Sequence, residues 1–270
     1  MIFRSLFFIF VFVPFMVIAI PLQALILLLR LPFWQALPRL FHKIGCVFLG
    51  LRITVLGTPS TGKPTLMVSN HISWTDIVAI GSVADVTFVA KREVGQWPFV
   101  GMMANLQRTI YADRTRRSET GRTASAMGAH MASGNTVLLF AEGQSDIGTH
   151  VLPFRSALVG AAQHAMIEAG AKDVQIQPVT IAYTKLQGLP VSRNERSLIA
   201  WIKSKSVKQN IREILGGPVK DVTVAFGNPL SLTAQDNRKA VTKAAEEQVR
   251  AMLVALNRGL PLPSQPTEQV

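Results

Sequence analysis

An uncharged, apolar segment of 25 residues separates Arg4 from Arg30, and it limits what this chain can fold into. As an α-helix the segment would be about 37 Å long, whereas the hydrocarbon core of a bilayer is about 30 Å thick. Pro14 and Pro21 favour kinks, so a tilted single span and a kinked re-entrant hairpin are both open. The run is too long for a secretory signal, and no small-x-small cleavage site follows it. We therefore expect membrane association rather than a helix buried in a soluble core.

Charge is distributed unevenly along the chain. The 270 residues include 28 Lys and Arg against 16 Asp and Glu, and the first acidic residue is Asp76. Three cations follow the apolar segment closely and one precedes it, so the positive-inside bias places the downstream chain in the cytoplasm. The single cysteine, Cys46, excludes a disulfide framework and a multi-thiolate metal site. In its apolar surroundings we expect Cys46 to be an inert packing residue.

From residue 52 onward, short β-rich runs alternate with helical stretches. The predicted strands are 52–56, 65–69, 86–90, 109–112, 136–140, 174–183 and 222–226. The predicted helices are 73–83, 95–105, 118–133, 156–169 and 233–257. This alternation predicts an α/β fold, with a largely parallel central sheet flanked by helices. We divide the chain into a membrane-associated helical segment (1–50), an α/β domain (51–260) and a flexible tail (261–270).

Residues 57–63 match the first seven positions of a phosphate-binding P-loop. The next position requires Ser or Thr, but Pro64 occupies it, and a strand rather than a helix is predicted to follow. We expect a polar turn there and no nucleotide site. A serine esterase is also disfavoured, because the chain has no Gly-x-Ser-x-Gly nucleophile elbow.

The segment 69–76, with the sequence SNHISWTD, connects an apolar strand to a helix. Ser73 and Asp76 have the spacing of a helix cap, and His71 precedes the helix. An Asp bonded to one imidazole nitrogen fixes the tautomer and leaves the other nitrogen as a base. The alternative interpretation is a capped helix with an incidental histidine.

Two further segments place polar residues after strands. Glu142 and Gly143 follow the strand 136–140, at the strand end where open α/β sheets bind their ligands. Arg114 directly follows the strand 109–112, and arginine binds carboxylates and phosphates through paired hydrogen bonds. Taken alone, each is also compatible with an ordinary turn or a solvated basic face.

Four blocks, in this order, resemble the glycerolipid acyltransferase superfamily of lysophosphatidate acyltransferase-like enzymes, over about residues 60–230. Asn70-His71 with Asp76 resembles the first block, His-x4-Asp. Residues 111–114 (YADR) resemble the second block, Phe-Ile-Asp-Arg, and residues 140–143 (FAEG) resemble the third, Phe-Pro-Glu-Gly-Thr-Arg. Residues 177–181 (QPVTI) resemble the fourth, an apolar strand with a proline.

The resemblance implies an O-acyltransferase. His71 would be the general base that takes a proton from the acceptor hydroxyl, and Asp76 would orient it. The activated oxygen would attack the thioester of an acyl-carrier protein or CoA donor, a co-substrate, so no cofactor and no metal are expected. The remaining residues would bind the substrates: Asn70, Arg114, Glu142, Gly143 and Ser145. The amino-terminal helices would lie in the membrane surface and deliver the lipid acceptor.

Departures from the family pattern bear on the acceptor. The third block reads FAEGQS, so Ser145 replaces the arginine that the family associates with the glycerol-phosphate group. The strings 142–158, 112–117 and 177–190 are most similar to the bacterial branch that acylates lyso-ornithine lipid. Its acceptor is the 3-hydroxyl of a fatty acid amide-linked to ornithine, which implies a site at the cytoplasmic side of a bacterial inner membrane. The alternatives are a 1-acylglycerol-3-phosphate O-acyltransferase that makes phosphatidic acid, and a non-enzymatic membrane scaffold.

Expected partners follow from a cationic stretch after residue 190. It contains six cations against Glu195 alone: Arg193, Arg196, Lys203, Lys205, Lys208 and Arg212. Such a stretch attracts anionic lipid headgroups of the bilayer, and it would steer an acidic acyl carrier protein. We expect no nucleic-acid partner, because no recognition motif accompanies the charge.

Overall fold

The structure is a computed structural model that describes residues 2–112, 117–168, 170–202 and 204–263. Within these ranges the strands are β1 Leu51–Leu56, β2 Thr65–Ser69, β3 Val86–Lys91, β4 Ile110–Ala112, β5 Thr136–Phe140, β6 Asp173–Leu186, β7 Leu189–Pro190, β8 Lys220–Phe226 and β9 Leu230–Thr233. The helices are α1 Ile2–Phe7, α2 Val13–Leu28, α3 Ala36–Leu49, α4 Thr75–Val83, α5 Pro98–Leu106, α6 Arg117–Ala132, α7 Ser156–Glu168, α8 Arg193–Ile199, α9 Val207–Gly216 and α10 Arg238–Asn257. Most of the predicted tail lies outside the described residues.

The strands form one mixed sheet in the order β1-β8-β6-β2-β5-β3-β4. The pairs from β6 through β2, β5 and β3 to β4 are parallel, as is β1 with β8, whereas β8, β7 and β9 pair with β6 in antiparallel fashion. The predicted α/β class with a largely parallel sheet is confirmed, with antiparallel pairing confined to β6. Ser69 pairs with Phe140, so β2 and β5 end at the same sheet edge.

Helices cover both faces of the sheet because the central strands are apolar on both sides. On one face, a core that includes Met127, Val159 and Val249 packs α6, α7 and α10 against the sheet. On the other face, a core that includes Ile80 and Ile214 packs α4 and α9. Cys46 lies in this second core, and burial raises the pKa of its thiol to about 11, which agrees with the expected packing role.

The elements that composition alone did not predict are short and polar. Ser192 and Ser206 are the N-cap residues of α8 and α9, and their side chains accept hydrogen bonds from the first-turn amides. The last helix begins at Arg238 rather than 233, because residues up to Thr233 pair with β6 as β9. Residues 57–63 form a turn between β1 and β2, as expected.

The amino-terminal apolar segment is one continuous helix. α1, a π-helical stretch Phe8–Phe12 and α2 follow one another without a break, and the run Arg4–Leu28 is long and apolar enough to cross a membrane. Of the two alternatives left open by Pro14 and Pro21, a hairpin within the segment is therefore not formed; the chain turns only after Leu28. Of the most apolar 18-residue stretch of this helix, only 6% is buried. A surface with this much exposed hydrocarbon associates with a membrane.

One side of this helix rests on the remainder of the protein. The buried residues of α2 have helical spacing: Met16, Ala19, Gln23 and Ile26. Phe12 packs on Phe41 and Phe48 of α3, with ring centroids 5.8 and 5.3 Å apart. At the two ends, Arg4 donates to the Leu215 and Gly217 carbonyls, and Gln23 donates to the Leu106 carbonyl. The proposed boundary near residue 50 stays a prediction.

Candidate active site

His71 and Asp76 lie together at the sheet edge where β2 ends and α4 begins. The Nδ1 atom of His71 is 2.8 Å from Oδ2 of Asp76. The same oxygen accepts the backbone N–H groups of Ile72 at 2.6 Å and Ser73 at 2.9 Å. The loop therefore wraps around the carboxylate, which is fully buried. Only half of the expected cap is formed: Asp76 accepts from the Ser73 amide, but the Ser73 hydroxyl has no partner within the described chain.

The other carboxylate oxygen of Asp76 has a partner that the sequence did not indicate. The hydroxyl of Tyr183, on β6, donates to Oδ1 of Asp76 at 2.8 Å, and it lies 2.6 Å from the Thr75 hydroxyl. Because the phenol has one proton, Thr75 donates to Tyr183 and Tyr183 donates to Asp76. Burial and the Asp76 charge raise the pKa of Tyr183 well above its usual value, so the hydroxyl keeps its proton. The only sequence signal was a hydroxyl-bearing residue in a buried apolar strand.

The imidazole of His71 is oriented on one side and open on the other. Its ring stacks on Phe140, with centroids 4.1 Å apart and 20° between the planes. Nδ1 faces Asp76, and the side chain keeps 17% of its surface exposed. Within the described residues Nε2 has no hydrogen-bond partner. With Nδ1 held as a donor to a carboxylate, Nε2 is the free basic nitrogen.

Glu142 does not face the open side of the site. Its two carboxylate oxygens accept the backbone amides of His71 and Leu152, each at 2.7 Å, and the residue is almost completely buried. Burial raises the pKa of Glu142 to about 8, and the nearby charges of Asp146 and Asp76 add to the rise. The hydrogen bonds from the two backbone amides lower the pKa, but by less. Glu142 thus holds the His71 loop against the loop after β5, so the structure gives it a positioning contact.

Asn70 and Ser145, which were predicted to bind substrate, also bond to backbone. The amide of Asn70 donates to the Ile181 carbonyl at 3.0 Å and accepts the Ile181 amide at 2.9 Å, which ties β2 to β6. The Ser145 hydroxyl donates to the Trp201 carbonyl, and the Trp201 amide donates to the Ile72 carbonyl at 3.0 Å. These contacts fix the walls of the site. The predicted binding roles of both residues remain predictions.

Gly143 lies where the loop after β5 turns, with φ of +75°, a conformation that favours glycine. A Cβ at this position would lie 2.7 Å from Nε of Arg155, so the absence of a side chain lets Arg155 approach the loop. Arg114 lies outside the described residues, and its predicted role stays open. Among the described residues there is no group of three His, Cys, Asp or Glu side chains suited to a metal ion.

This arrangement suits proton abstraction from a bound hydroxyl. An imidazole whose Nδ1 is fixed by a buried carboxylate presents Nε2 to the open side of the site, and the carboxylate stabilises the imidazolium that forms. These are the two members of a hydrolase triad that activate a hydroxyl, and among the described residues no serine hydroxyl bonds to Nε2. A hydroxyl supplied by a substrate would fit this position.

Comparison with known proteins identifies the family. The profile of the family described as Acyltransferase matches residues 52–182. A lyso-ornithine lipid O-acyltransferase of Brucella abortus is 41% identical over 244 residues, 90% of this chain and 91% of the relative. A 1-acyl-sn-glycerol-3-phosphate acyltransferase of Neisseria gonorrhoeae is 33% identical over 48% of this chain and 49% of its own length.

A solved structure supports the same fold. The crystal structure of the 1-acyl-sn-glycerophosphate acyltransferase PlsC from Thermotoga maritima aligns with a TM-score of 0.63 and 19% identity, over 94% of this chain and 95% of that chain. The chain belongs to the acyltransferase family. It is an O-acyltransferase, as the resemblance of its four blocks implied.

We expect Tyr183→Phe to lower the free energy of unfolding by about 1–3 kcal/mol, because it leaves a buried carboxylate oxygen without a donor. Chemical denaturation in detergent measures the change. The matched control is Tyr111→Phe, which removes the other tyrosine hydroxyl of the chain; that hydroxyl donates to Asn105 at an exposed position. An equal loss in both variants would mean that the contact with Asp76 is not special.

We expect Glu142→Gln to change how stability depends on pH. A folded-state pKa of about 8, above the ordinary 4.5, means that the folded protein binds this proton more tightly. The resulting stability is present below about pH 4.5 and is lost as the pH rises to about 8. Relative to the variant, the wild type should therefore lose stability across this range, as measured by denaturation at several pH values.

The control for this titration is Glu246→Gln. Burial raises the pKa of Glu246, but bonds from Lys243, the Phe154 amide and Arg250 outweigh it, so the pKa is lowered. Its contribution is then complete above the ordinary pKa and is lost only in more acidic solution. The stability difference between wild type and this variant should be flat from pH 6 to 8. A flat difference for Glu142→Gln as well would contradict the raised pKa.

Proposed function

We propose that this enzyme transfers a fatty acyl group from an acyl thioester to the 3-hydroxyl of lyso-ornithine lipid, forming ornithine lipid. The observation that carries the chemistry is the pair of His71 and Asp76, with Nδ1 bonded to a buried carboxylate and Nε2 open. The acceptor is supported by the 41% identical Brucella relative, whose name specifies it, and by Ser145 in place of a phosphate-binding arginine.

The proposed reaction needs one base and no covalent enzyme intermediate. Nε2 of His71 takes the proton of the acceptor hydroxyl as its oxygen attacks the thioester carbonyl. The new C–O bond forms an ester, the C–S bond breaks, and the leaving thiolate takes the proton back from the imidazolium. Asp76 stabilises the transient positive charge, and its four hydrogen-bond donors keep it fixed while that happens.

The acyl donor is an acyl-carrier protein or CoA, used as a co-substrate without a further cofactor. Part of the predicted cationic stretch supports an acidic donor: Arg193, Lys208 and Arg212 are exposed on α8 and α9. Two other members have internal roles, since Arg196 is buried and Lys205 pairs with Glu213, and Lys203 lies outside the described residues. α9 adjoins the site, because its Asn210 accepts the Trp74 indole N–H at 3.0 Å. An acidic carrier bound there would lie next to the dyad of His71 and Asp76.

The bilayer is the second proposed partner, and the helix α1–α2 lies in one leaflet of it. Arg4 and Gln23, near the two ends of the helix, both bond to the same α/β domain, so both ends lie on one side of the membrane. The outer face, with Phe10, Val17 and Ile18 exposed, would enter the hydrocarbon. The positive-inside bias and the cytoplasmic supply of acyl thioesters support a location of the domain at the cytoplasmic side of a bacterial inner membrane.

The proposed reaction is tested by assaying purified enzyme with lyso-ornithine lipid and lysophosphatidate in parallel, each with acyl-carrier protein and CoA donors. We expect ornithine lipid as the main product, and a loss of at least about a hundredfold in rate for His71→Ala, because the base contributes about that factor. Folding and vesicle binding should persist in the variant. Prompt acylation of lysophosphatidate alone would overturn the acceptor, and near wild-type rates for His71→Ala would overturn the base.

The one-leaflet placement is tested by cysteine labelling in a Cys46→Ala background. We introduce Ser5→Cys at the start of the helix and, as the matched control, Lys43→Cys in α3; both positions are exposed. In inside-out membrane vesicles, an impermeant maleimide should label both cysteines from the cytoplasmic face. Labelling of Ser5→Cys only from the opposite face would mean that the helix crosses the bilayer.

A further inference from the structure

The loop after β5 lacks the positive charge of the family pattern and carries a negative charge at the next position. The third family block ends in arginine, but this chain has Ser145 there and Asp146 next to it. The Asp146 amide donates to the His71 carbonyl at 2.9 Å, so Asp146 adjoins the loop that carries the proposed base. The Asp146 carboxylate does not help to position His71 and Asp76, since Asp76 is held by His71, two loop amides and Tyr183.

The Asp146 carboxylate lacks a hydrogen-bond donor. Its Oδ2 atom is buried and accepts no hydrogen bond within the described residues; the adjacent cationic candidate, Nδ1 of His150, is 3.6 Å away. The side chain still keeps 24% of its surface exposed. Buried carboxylate oxygens are ordinarily satisfied, so this group is suited to a cation supplied by a ligand.

A cation that has no acidic partner among the described residues packs on the same loop. The Arg155 side chain packs over Gly143, and the Arg155 amide donates to the Ala141 carbonyl at 2.9 Å. No ion pair of Arg155 occurs among the residues that the structure describes. Among the described residues, Arg155 therefore has no acidic partner, and the ion-pair contact of Asp146 is the one with His150 at 3.6 Å.

We propose that Asp146 and Arg155 form the headgroup subsite for ornithine. This inference rests on the proposed function, because an ornithine amide-linked through its α-nitrogen retains a side-chain ammonium and an α-carboxylate. Asp146 binds the ammonium, and Arg155 binds the carboxylate through paired N–H groups, while the 3-hydroxyl lies at His71. A lysophosphatidate phosphate carries no cation, and Asp146 would repel it.

The test compares Asp146→Asn with wild type on two acceptors: lyso-ornithine lipid, and an analogue in which norvaline replaces ornithine and removes only the ammonium. Loss of a charged hydrogen bond should raise KM for lyso-ornithine lipid about ten- to hundredfold, with kcat nearly unchanged. With the norvaline analogue, the variant and the wild type should behave alike. Arg155→Gln should likewise raise KM for lyso-ornithine lipid. With the methyl ester of the α-carboxylate as acceptor, this variant and the wild type should behave alike.

The matched control is Asp221→Asn, an acid on β8 that is not part of the site. It should leave KM unchanged for both acceptors. An equal penalty for Asp146→Asn on lyso-ornithine lipid and on the norvaline analogue would overturn the subsite while leaving the proposed function intact. If the wild type acylates lysophosphatidate alone, the proposed function fails first and the subsite falls with it.

A gain-of-function variant guards against simple misfolding. Ser145→Arg combined with Asp146→Ser returns a cation to the loop and removes the acid. We expect this double variant to lower KM for lysophosphatidate and to raise KM for lyso-ornithine lipid, each by about tenfold. Unchanged preference in a variant with wild-type denaturation behaviour would also refute the subsite.

Discussion

The buried carboxylate of Asp76 is the group on which the site depends. A charge removed from water is tolerated only when hydrogen bonds replace its hydration, and Asp76 accepts from the His71 ring, two loop amides and Tyr183. Three of those donors come from the loop that precedes α4, and the fourth comes from a strand more than 100 residues away in the chain. Satisfying one carboxylate therefore fixes the relative position of β2, α4 and β6, and the imidazole is oriented as a consequence.

The sheet register brings a second acid to the same edge with a different task. Because Ser69 pairs with Phe140, the loops after β2 and β5 emerge side by side, and Glu142 reaches the His71 amide. The two acids of the site thus have different surroundings: four hydrogen-bond donors surround Asp76, whereas burial raises the pKa of Glu142 to about 8. Glu142 therefore carries less negative charge close to neutral pH, and it competes less with Asp76 for the imidazolium.

Local patterns predicted what is local. The alternation of apolar runs identified the main strands, and the five-residue separation of His71 from Asp76 predicted their contact, because a first-turn carboxylate reaches back to the incoming loop. Tyr183 and the inward orientation of Glu142 depend on strand order, which no spacing in the sequence encodes. Asn70 and Ser145 are instructive in the same way: Asn70 adjoins His71 and Ser145 closely follows Glu142 in sequence, yet each side chain bonds to the backbone of a distant segment.

The membrane helix and the site form one hydrogen-bonded block. α9 ends with carbonyl groups that no helical amide satisfies, and the side chains of Arg4 and Lys220 bond to carbonyls there. The same helix holds Trp74 through Asn210, one residue before α4 begins and two before Asp76. A lipid hydroxyl that approaches along the bilayer surface would therefore meet a base held at a set height above that surface. Such fixed geometry is what proximity catalysis requires, since in the proposed reaction neither substrate is attached to the enzyme during the transfer.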